Sequence, residues 1–309
     1  MHQPRAGAKP VSRILVLFAV AAVACGTAQP AAQPAPGASF PVTIGQTTIA
    51  HQPHRIVSLS PTATEMLFAI GAGKQVIAVD DQSNYPAYAP TTKLSGFTPN
   101  IEAIASYTPD LVVAAEDTGG LVHGVEALNV PILLEPAART LDDTYAQIKQ
   151  LGDATGHPAE AGALVKNMRS QVGAFVASVA KPARRLRVYH ELDNTYYSVT
   201  TATFIGQVYR LLGLSNIADS ATGAAPDYPQ LSAEYIVSAN PDLIVLADTK
   251  CCAQNLSTVA SRPGWAVIAA VRSGQVVNVD DDIASRWGPR VIDFMQAIAP
   301  HVQQLEKSG

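Results

Sequence analysis

The chain contains 309 residues, of which 48% are hydrophobic, 15% charged and 6% aromatic, and its formal net charge is −4. This length corresponds to about two domains, and the composition is too apolar for a disordered protein and too poor in cysteine for a disulfide scaffold. The acidic balance argues against a nucleic-acid partner, which would require a basic surface.

Residues 1–24 have the pattern of an export signal. Three basic residues precede an apolar run from Ile14 to Val23, which is too short to span a bilayer and fits the apolar region of a signal peptide. Small residues then lead into Cys25, and this ending resembles the signal of bacterial lipoproteins, in which the cysteine is lipidated. The sequence therefore predicts export and a lipid anchor on the extracytoplasmic face of a bacterial membrane, with an ordinary cleaved signal peptide as the alternative.

Residues 25–39 are rich in alanine, proline and glutamine, and this composition predicts a flexible tether behind the anchor. The two remaining cysteines, Cys251 and Cys252, are adjacent. In an oxidising compartment they can close a vicinal disulfide, and two free thiols are the alternative. No cysteine or histidine spacing predicts a zinc site.

From about residue 40, short apolar runs alternate with segments long enough for helices. Because the runs are apolar on both faces, they predict parallel sheets covered by helices on both sides. Thr62 and Glu65 predict a capping box at the start of the first helix, and Gly71 predicts its end. The predicted strands are Arg55–Leu59, Val76–Val79, Leu111–Ala114, Ile132–Leu134, Leu186–His190, Leu243–Leu246 and Val276–Val279.

One segment of the sequence occurs twice, at a constant offset of 132 residues. Residues 101–113 and 233–245 share Glu, Ile, Ser, Pro, Asp, Leu and Val in register. A solenoid would repeat every 20–50 residues, so a single repeat at this distance predicts two similar lobes, at residues 40–140 and 183–309.

The segment between the lobes, residues 141–182, contains no predicted strand. It breaks at Gly156-His157-Pro158 and continues with a helical pattern from Ala159 to Val179. A helix of about 20 residues is about 30 Å long, which is enough to connect the two lobes as a spine.

Several motifs make the chain similar to a known family. They are residues 55–65, the two Pro-Asp-Leu blocks, residues 228–234, and Asp282 with Arg286 and residues 289–290. Together with the lipoprotein-type signal and the connecting helix, they resemble the class III substrate-binding proteins of bacterial ABC importers. Within that class the resemblance is to the branch that binds vitamin B12 or iron siderophores.

This resemblance implies an α/β fold with two similar lobes, each with a parallel sheet flanked by helices, joined by one long connecting helix. It implies no enzymatic activity and no resident cofactor, but a transported cobalt or iron chelate held between the lobes. Cobalamin is the first expectation, and a ferric siderophore or haem is the alternative. The implied partner is an ABC permease dimer with its ATPase subunits, and the protein is expected to act as a monomer.

Glu102 and Glu234 occupy equivalent positions in the repeat, each at the start of a predicted helix. A carboxylate there can simply interact favourably with the helix dipole. The resemblance implies a further role, in which one glutamate on each lobe docks on arginines of the permease dimer.

Candidate ligand contacts follow the predicted strands, because ligands of open α/β sheets bind at the carboxyl ends of strands. Phe97 and Tyr228 match positions where the B12-binding relatives stack aromatic rings on the corrin, although packing in the core is the alternative for each aromatic. The candidates are Asp80, Asp81, Gln82, Tyr85 and Phe97 in lobe one, and His190, Glu191, Tyr196, Tyr197, Tyr228, the Cys251–Cys252 turn, Asp282, Arg286 and Trp287 in lobe two.

Arg286 and Arg290 flank a Trp-Gly-Pro segment near the C-terminus. Arginine suits bidentate recognition of carboxylate or phosphate, so Arg286 is expected to contact the ligand, while Arg290 is expected to pair within its own lobe. His190, Glu191 and Asp193 could bind a bare metal ion, but lobe one offers no matching set and no metal site is predicted. Nucleophile-elbow, zinc-protease and dinucleotide-binding motifs are absent from the sequence, which leaves a secreted α/β enzyme as an outside alternative.

Overall fold

The computed structural model describes residues 39–179, 182–221 and 227–307, so the predicted signal segment, the lipidation site at Cys25 and nearly all of the tether lie outside the described residues. The strands are β1 (Val42–Ile44), β2 (Thr47–Ile49), β3 (Ile56–Leu59), β4 (Val76–Val79), β5 (Leu111–Ala114), β6 (Ile132–Leu134), β7 (Leu186–Glu191), β8 (Leu214–Asn216), β9 (Leu243–Leu246) and β10 (Val276–Asn278).

The helices are α1 (Pro61–Ala69), α2 (Ile101–Ser106), α3 (Leu121–Glu126), α4 (Leu141–Thr155), α5 (Pro158–Ser178), α6 (Phe204–Leu211), α7 (Ala233–Ala239), α8 (Leu256–Ala260), α9 (Ala269–Arg272), α10 (Asp281–Ser285) and α11 (Val291–Lys307). Short 3-10 turns lie at Ala72–Lys74, Thr118–Gly120, Ile217–Ser220 and Trp265–Val267. Within the described residues, no helix combines the length and hydropathy that crossing a bilayer requires.

Each lobe is built on a four-stranded parallel sheet, and the two sheets have the same topology. Their strand orders are β4-β3-β5-β6 and β8-β7-β9-β10. In both lobes the first strand lies between the second and the third, and the fourth lies outside the third. The predicted duplication is therefore present in the fold, and β1 and β2 add a small antiparallel hairpin.

The repeated Pro-Asp pair holds equivalent positions in the two lobes. The Asp110 carboxylate accepts the backbone N–H groups of His54 and Arg55 at the start of β3. In lobe two, Asp242 accepts the backbone N–H of Arg187 at the start of β7. Each aspartate thus supplies hydrogen-bond acceptors to backbone N–H groups at the beginning of the central strand of its sheet. The two copies of the Pro-Asp pair therefore have the same structural role.

Helices α4 and α5 form the connection between the lobes. Gly156 adopts a left-handed conformation with φ of 84° after α4, and Pro158 begins α5. The predicted break between two helices at residues 156–158 is therefore present. Helix α5 has 21 residues, so the predicted long helix is confirmed. One continuous apolar cluster includes residues of both sheets, of α4 and of α5, and it therefore joins the two lobes through a common core.

The start of α1 differs from the prediction. Ser60, and not Thr62, caps the helix, because its side chain accepts the N–H of Ala63. The predicted capping partner Glu65 points instead to two arginines of lobe two. Gly71 has φ of 88° directly after the helix end, so the predicted glycine at this end is confirmed.

Candidate functional site

A cavity of about 450 Å³ lies between the lobes. Its walls are segments that follow strands of both sheets, which places it at the carboxyl edge of each sheet, where ligands of such folds bind. Seven predicted contacts line it, namely Asp80, Gln82, Phe97, Tyr228, Asp282, Arg286 and Trp287. The lining also includes Leu59, Ser60, Pro61, Thr62, Gly96, Ala115, Glu116, Thr118, Ala137, Asp281 and Ser285.

The cavity receives one exposed aromatic side chain from each lobe. Phe97 of lobe one is 76% exposed and Tyr228 of lobe two is 44% exposed. Phe97 directly follows Gly96, where no larger residue fits, because a Cβ atom at residue 96 would lie 2.6 Å from the carbonyl oxygen of Leu59 at the end of β3. Two apolar ring faces that solvent reaches are suited to binding a flat, apolar ligand surface.

Arg286 crosses from lobe two into lobe one at the wall of the cavity. Its Nη1 donates to Glu65 Oε1 at 2.8 Å and to Asn84 Oδ1 at 2.9 Å. Its Nη2 donates to the carbonyl oxygen of Gln82 and to Asp282 Oδ1, both at 2.9 Å. All four terminal N–H groups thus have acceptors, and only 7% of the residue is exposed.

Arg290 makes a second connection between the lobes. Its guanidinium forms a bidentate contact with Glu65, with Nε 2.8 Å from Oε2 and Nη2 bonded to Oε1, and it lies 4.1 Å above the ring of Tyr85. The expectation that Arg290 pairs within its own lobe is therefore wrong. Glu65, Arg286 and Arg290 form what we call the interlobe clasp.

Two acidic residues of the wall, Asp80 and Asp282, are each held by more than one hydrogen bond. Asp80 accepts the N–H of Gln82 and the hydroxyl of Ser83, and its burial raises the pKa of its carboxyl. Asp282 accepts from Lys250 Nζ at 2.7 Å and from Asn84 Nδ2 at 2.9 Å. Although burial opposes ionisation, these donors and Arg286 lower the pKa of Asp282.

The turn containing Cys251 and Cys252 is attached to the wall through Asp281. The structure joins the two cysteines as a vicinal disulfide. The Asp281 carboxylate accepts the backbone N–H groups of Thr249, Lys250 and Cys251. The cysteines do not line the cavity, but the residue that anchors their turn does.

The prediction that His190 and Glu191 contact a ligand is corrected by their burial. Strand β7 continues through Glu191, and both side chains have no exposed surface. His190 Nδ1 lies 2.6 Å from the hydroxyl of Tyr209, and burial lowers the pKa of its imidazole to about 3. On the other face of the sheet, Glu191 receives a bidentate contact from Arg262, with both N–O distances at 2.6 Å.

Four other predicted contacts lie outside the lining of the cavity. Tyr196 has φ of 72° and stacks on Trp265 with 5.6 Å between ring centroids. Tyr197 pairs with Gln230 through an isolated bridge. The ring of Tyr85 contacts Arg290 of the interlobe clasp, and Asp81 accepts a hydrogen bond from the Gln82 side chain.

Several wall residues were not predicted from the sequence, most notably Glu116 and Asp281. Glu116 follows β5 at its carboxyl end, so the correctly predicted strand Leu111–Ala114 was the signal that could have identified it. Within the described residues, no group of three or more His, Cys, Asp and Glu side chains could hold a metal ion.

Glu102 and Glu234 lie in the first turns of α2 and α7, and both are exposed. Each helix leads into the next parallel strand, so its N-terminus lies at the carboxyl edge of its sheet, the edge that holds the cavity. Neither glutamate forms an ion pair with another described residue.

Comparison with known proteins agrees with this architecture. The chain matches the family described as periplasmic binding protein over residues 56–283. It is 30% identical over 308 residues to the uncharacterized ABC transporter substrate-binding lipoprotein YvrC of Bacillus subtilis, and the match covers 93% of this chain and 95% of that relative. It is also 30% identical over 318 residues to a cobalamin-binding protein of Halobacterium salinarum, with 97% of this chain and 85% of the relative covered.

A solved structure supports the fold. The periplasmic haem-binding protein RhuT from Roseiflexus sp. RS-1 superposes with a TM-score of 0.73 at 23% identity, and the match covers 82% of this chain and 99% of that protein. The predicted class of α/β fold with two lobes is therefore confirmed. Because the family match extends over more than half of the sequence and both lobes, the chain belongs to the periplasmic binding protein family.

Proposed function

We propose that this protein is the extracytoplasmic substrate-binding lipoprotein of an ABC importer, and that it captures a metal chelate, with cobalamin favoured, between its two lobes. The observation that carries this proposal is the cavity of about 450 Å³ with Phe97 and Tyr228 exposed at its wall, one from each lobe. A corrin presents a broad, largely apolar face, which two opposed aromatic side chains can contact.

Among the described residues, the lining offers none of the usual axial ligands of haem iron apart from the phenol of Tyr228. No histidine, cysteine or methionine of the described residues lines the cavity, and these side chains together with tyrosine are the usual axial ligands of haem. A chelate whose metal is already saturated therefore suits this cavity better than one that needs a ligand from the protein.

Delivery requires contact with a permease. Glu102 and Glu234 are exposed and unpaired among the described residues, one per lobe, at the edge of the sheets that holds the cavity. Two equivalent carboxylates on two equivalent lobes suit a partner with twofold symmetry. The lipid anchor at Cys25 would keep the protein at the membrane that contains the importer.

The test is a titration of the purified full-length protein with cyanocobalamin, haemin and a ferric siderophore, followed by absorbance and calorimetry. Saturable binding of one cyanocobalamin per chain, more tightly than the other two, supports the proposal. Preferential binding of haemin or the siderophore would replace cobalamin as the ligand, and binding of none would overturn the function. The variant with both Phe97→Ala and Tyr228→Ala is the matched control for binding within the cavity.

A further inference from the structure

The cavity wall carries acidic groups and almost no available positive charge. Among the described residues, four carboxylates line it, and Arg286 is the single cation in the lining. No lysine or histidine of the described residues lines the cavity. The lining carboxylates are Asp80, Glu116, Asp281 and Asp282.

The guanidinium of Arg286 is already fully engaged. Its four terminal N–H groups donate to Glu65, Asn84, Gln82 and Asp282 at 2.8–2.9 Å. A ligand carboxylate could pair with Arg286 only by displacing one of these acceptors, and displacing Glu65 would leave a buried carboxylate with one partner fewer. Arg286 is therefore a structural cation of the interlobe clasp and not a free anion-binding group.

Two further cations of the adjacent ion-pair network are also bound to carboxylates. Lys250 Nζ lies 2.8 Å from Asp280 and 2.7 Å from Asp282, and Arg290 is bound to Glu65. The three cations of this network face four carboxylates, so it has no net positive charge to offer a ligand. The carboxylates are Glu65, Asp280, Asp281 and Asp282.

Glu116 differs from the other carboxylates of the wall. It is exposed at the carboxyl end of β5, and no hydrogen bond or ion pair with a described residue engages it. Its charge is therefore free to act on whatever enters the cavity. An anionic group of a ligand would lose water there and meet a like charge in return, which is unfavourable.

We propose that this cleft selects its ligand by charge, accepting neutral or cationic metal chelates and rejecting those with ionised carboxylates or catecholates, and that Glu116 is a specificity-determining residue. The inference rests on the proposed function and deepens it. Amide-bearing chelates meet the requirement because amide N–H groups can donate to the wall carboxylates without bringing negative charge.

The decisive comparison uses ligands of one shape and different charge. Cyanocobalamin is neutral, and hydrolysis of one peripheral propionamide gives a monocarboxylate of nearly the same size. A second pair, which differs in shape as well as in charge, is a cationic ferric trihydroxamate and the trianionic ferric triscatecholate. Affinities are measured by calorimetry at low and at high salt, because screening weakens repulsion between charges that solvent reaches.

The full-length protein should bind the monocarboxylate at least about tenfold more weakly than cyanocobalamin, and this ratio should shrink at high salt. Glu116→Lys should reduce the ratio to below about threefold by tightening the binding of the monocarboxylate. Glu126→Lys is the matched control, since Glu126 is exposed on α3 of the same lobe and does not line this cavity. It should leave both affinities unchanged.

Three results would overturn charge selection while leaving the proposed function intact. They are equal affinity for cyanocobalamin and its monocarboxylate, an affinity ratio that Glu116→Lys does not change, and a preference for haemin. If only siderophores bind, charge selection requires that the cationic trihydroxamate complex binds and that the triscatecholate complex does not. Binding of the triscatecholate alone would overturn the inference. Failure to bind any chelate overturns the proposed function itself.

Discussion

Glu65 on α1 and Arg286 at the end of α10 are separated by 221 residues in the chain and form an ion pair across the two lobes, with 2.8 Å between Oε1 and Nη1. Glu65 is 3% exposed and Arg286 is 7% exposed, so this pair is removed from water. A buried charge is tolerated only when it is paired and hydrogen-bonded. The clasp therefore ties the lobes together at the cavity, in addition to the connection through α5.

Glu65→Gln should destabilise the protein strongly. The substitution keeps the shape of the side chain but leaves Arg286 and Arg290 without their shared carboxylate, and removal of one partner of a buried pair costs about 3–5 kcal/mol. The free energy of unfolding from urea denaturation measures this loss. Asp142→Asn breaks the exposed pair with Arg169 and should cost less than about 1 kcal/mol. Equal losses in the two variants would contradict the importance of the clasp.

The exposed aromatic side chains of the cavity should contribute directly to ligand affinity. Phe97→Ala and Tyr228→Ala should each weaken binding of the chelate by about 5- to 30-fold, or about 1–2 kcal/mol, as measured by calorimetry. Tyr88→Ala is the control, because Tyr88 is 78% exposed and packs on Phe68 without lining the cavity. If Tyr88→Ala weakens binding as much as the other two changes, the aromatic pair has no special role.

The fold was largely predictable from sequence because its signals are local. Short, largely apolar runs identified seven of the strands, and the repeated Pro-Asp-Leu segment revealed the duplicated topology. The omitted strands, β1, β2 and β8, have three residues each, and the Thr, Ser and Asn residues within them leave no continuous apolar run.

The site was only partly predictable, because it depends on where each strand ends and on contacts between distant residues. The prediction placed the end of β7 at His190, whereas the strand continues through Glu191 and buries both side chains. Phe97 and Tyr228, in contrast, which the resemblance indicated, both line the cavity. Nothing near Glu65 in the sequence indicated a partner 221 residues away.

The two glutamates of the repeat should act in transport and not in ligand binding. The variant with Glu102→Lys and Glu234→Lys should abolish ligand-dependent stimulation of the importer ATPase in proteoliposomes, because both acidic contacts become repulsive toward a basic permease surface. Its affinity for the chelate should stay within about twofold, since neither residue lines the cavity. Glu126→Lys serves as the single-site control, and a loss of ligand affinity in the double variant would contradict the docking role.

The vicinal disulfide can be tested by counting thiols. The Cys25→Ser variant, purified from an oxidising compartment and unfolded without reductant, should show no reactive thiol, and after reduction it should show two, from Cys251 and Cys252. Adding Cys252→Ser should give one thiol per chain before reduction. Two thiols in the unreduced Cys25→Ser protein would mean that the adjacent cysteines are not joined.

A buried carboxyl at the end of β6 should make the protein less stable as pH rises. Burial raises the pKa of Glu135 from 4.5 to about 8, and its Oε1 has no hydrogen-bond partner among the described residues. Between these two pKa values the unfolded chain has released a proton that the folded protein keeps, so increasing pH favours unfolding. This loss of folding stability is complete near pH 8 and absent below pH 4.5.

Glu135→Gln should remove this pH dependence. Relative to the unmodified protein, the variant should be more stable at pH 8 by about 2–4 kcal/mol and nearly equal in stability at pH 4.5, as measured by urea denaturation at a series of pH values. His190 has the opposite effect, because burial lowers its pKa to about 3 and stability falls as pH drops below 6.5, but this contribution is common to both proteins and cancels. Exposed Glu126→Gln should leave the profile unchanged, and an unchanged slope in Glu135→Gln would show that Glu135 is ionised in the folded protein.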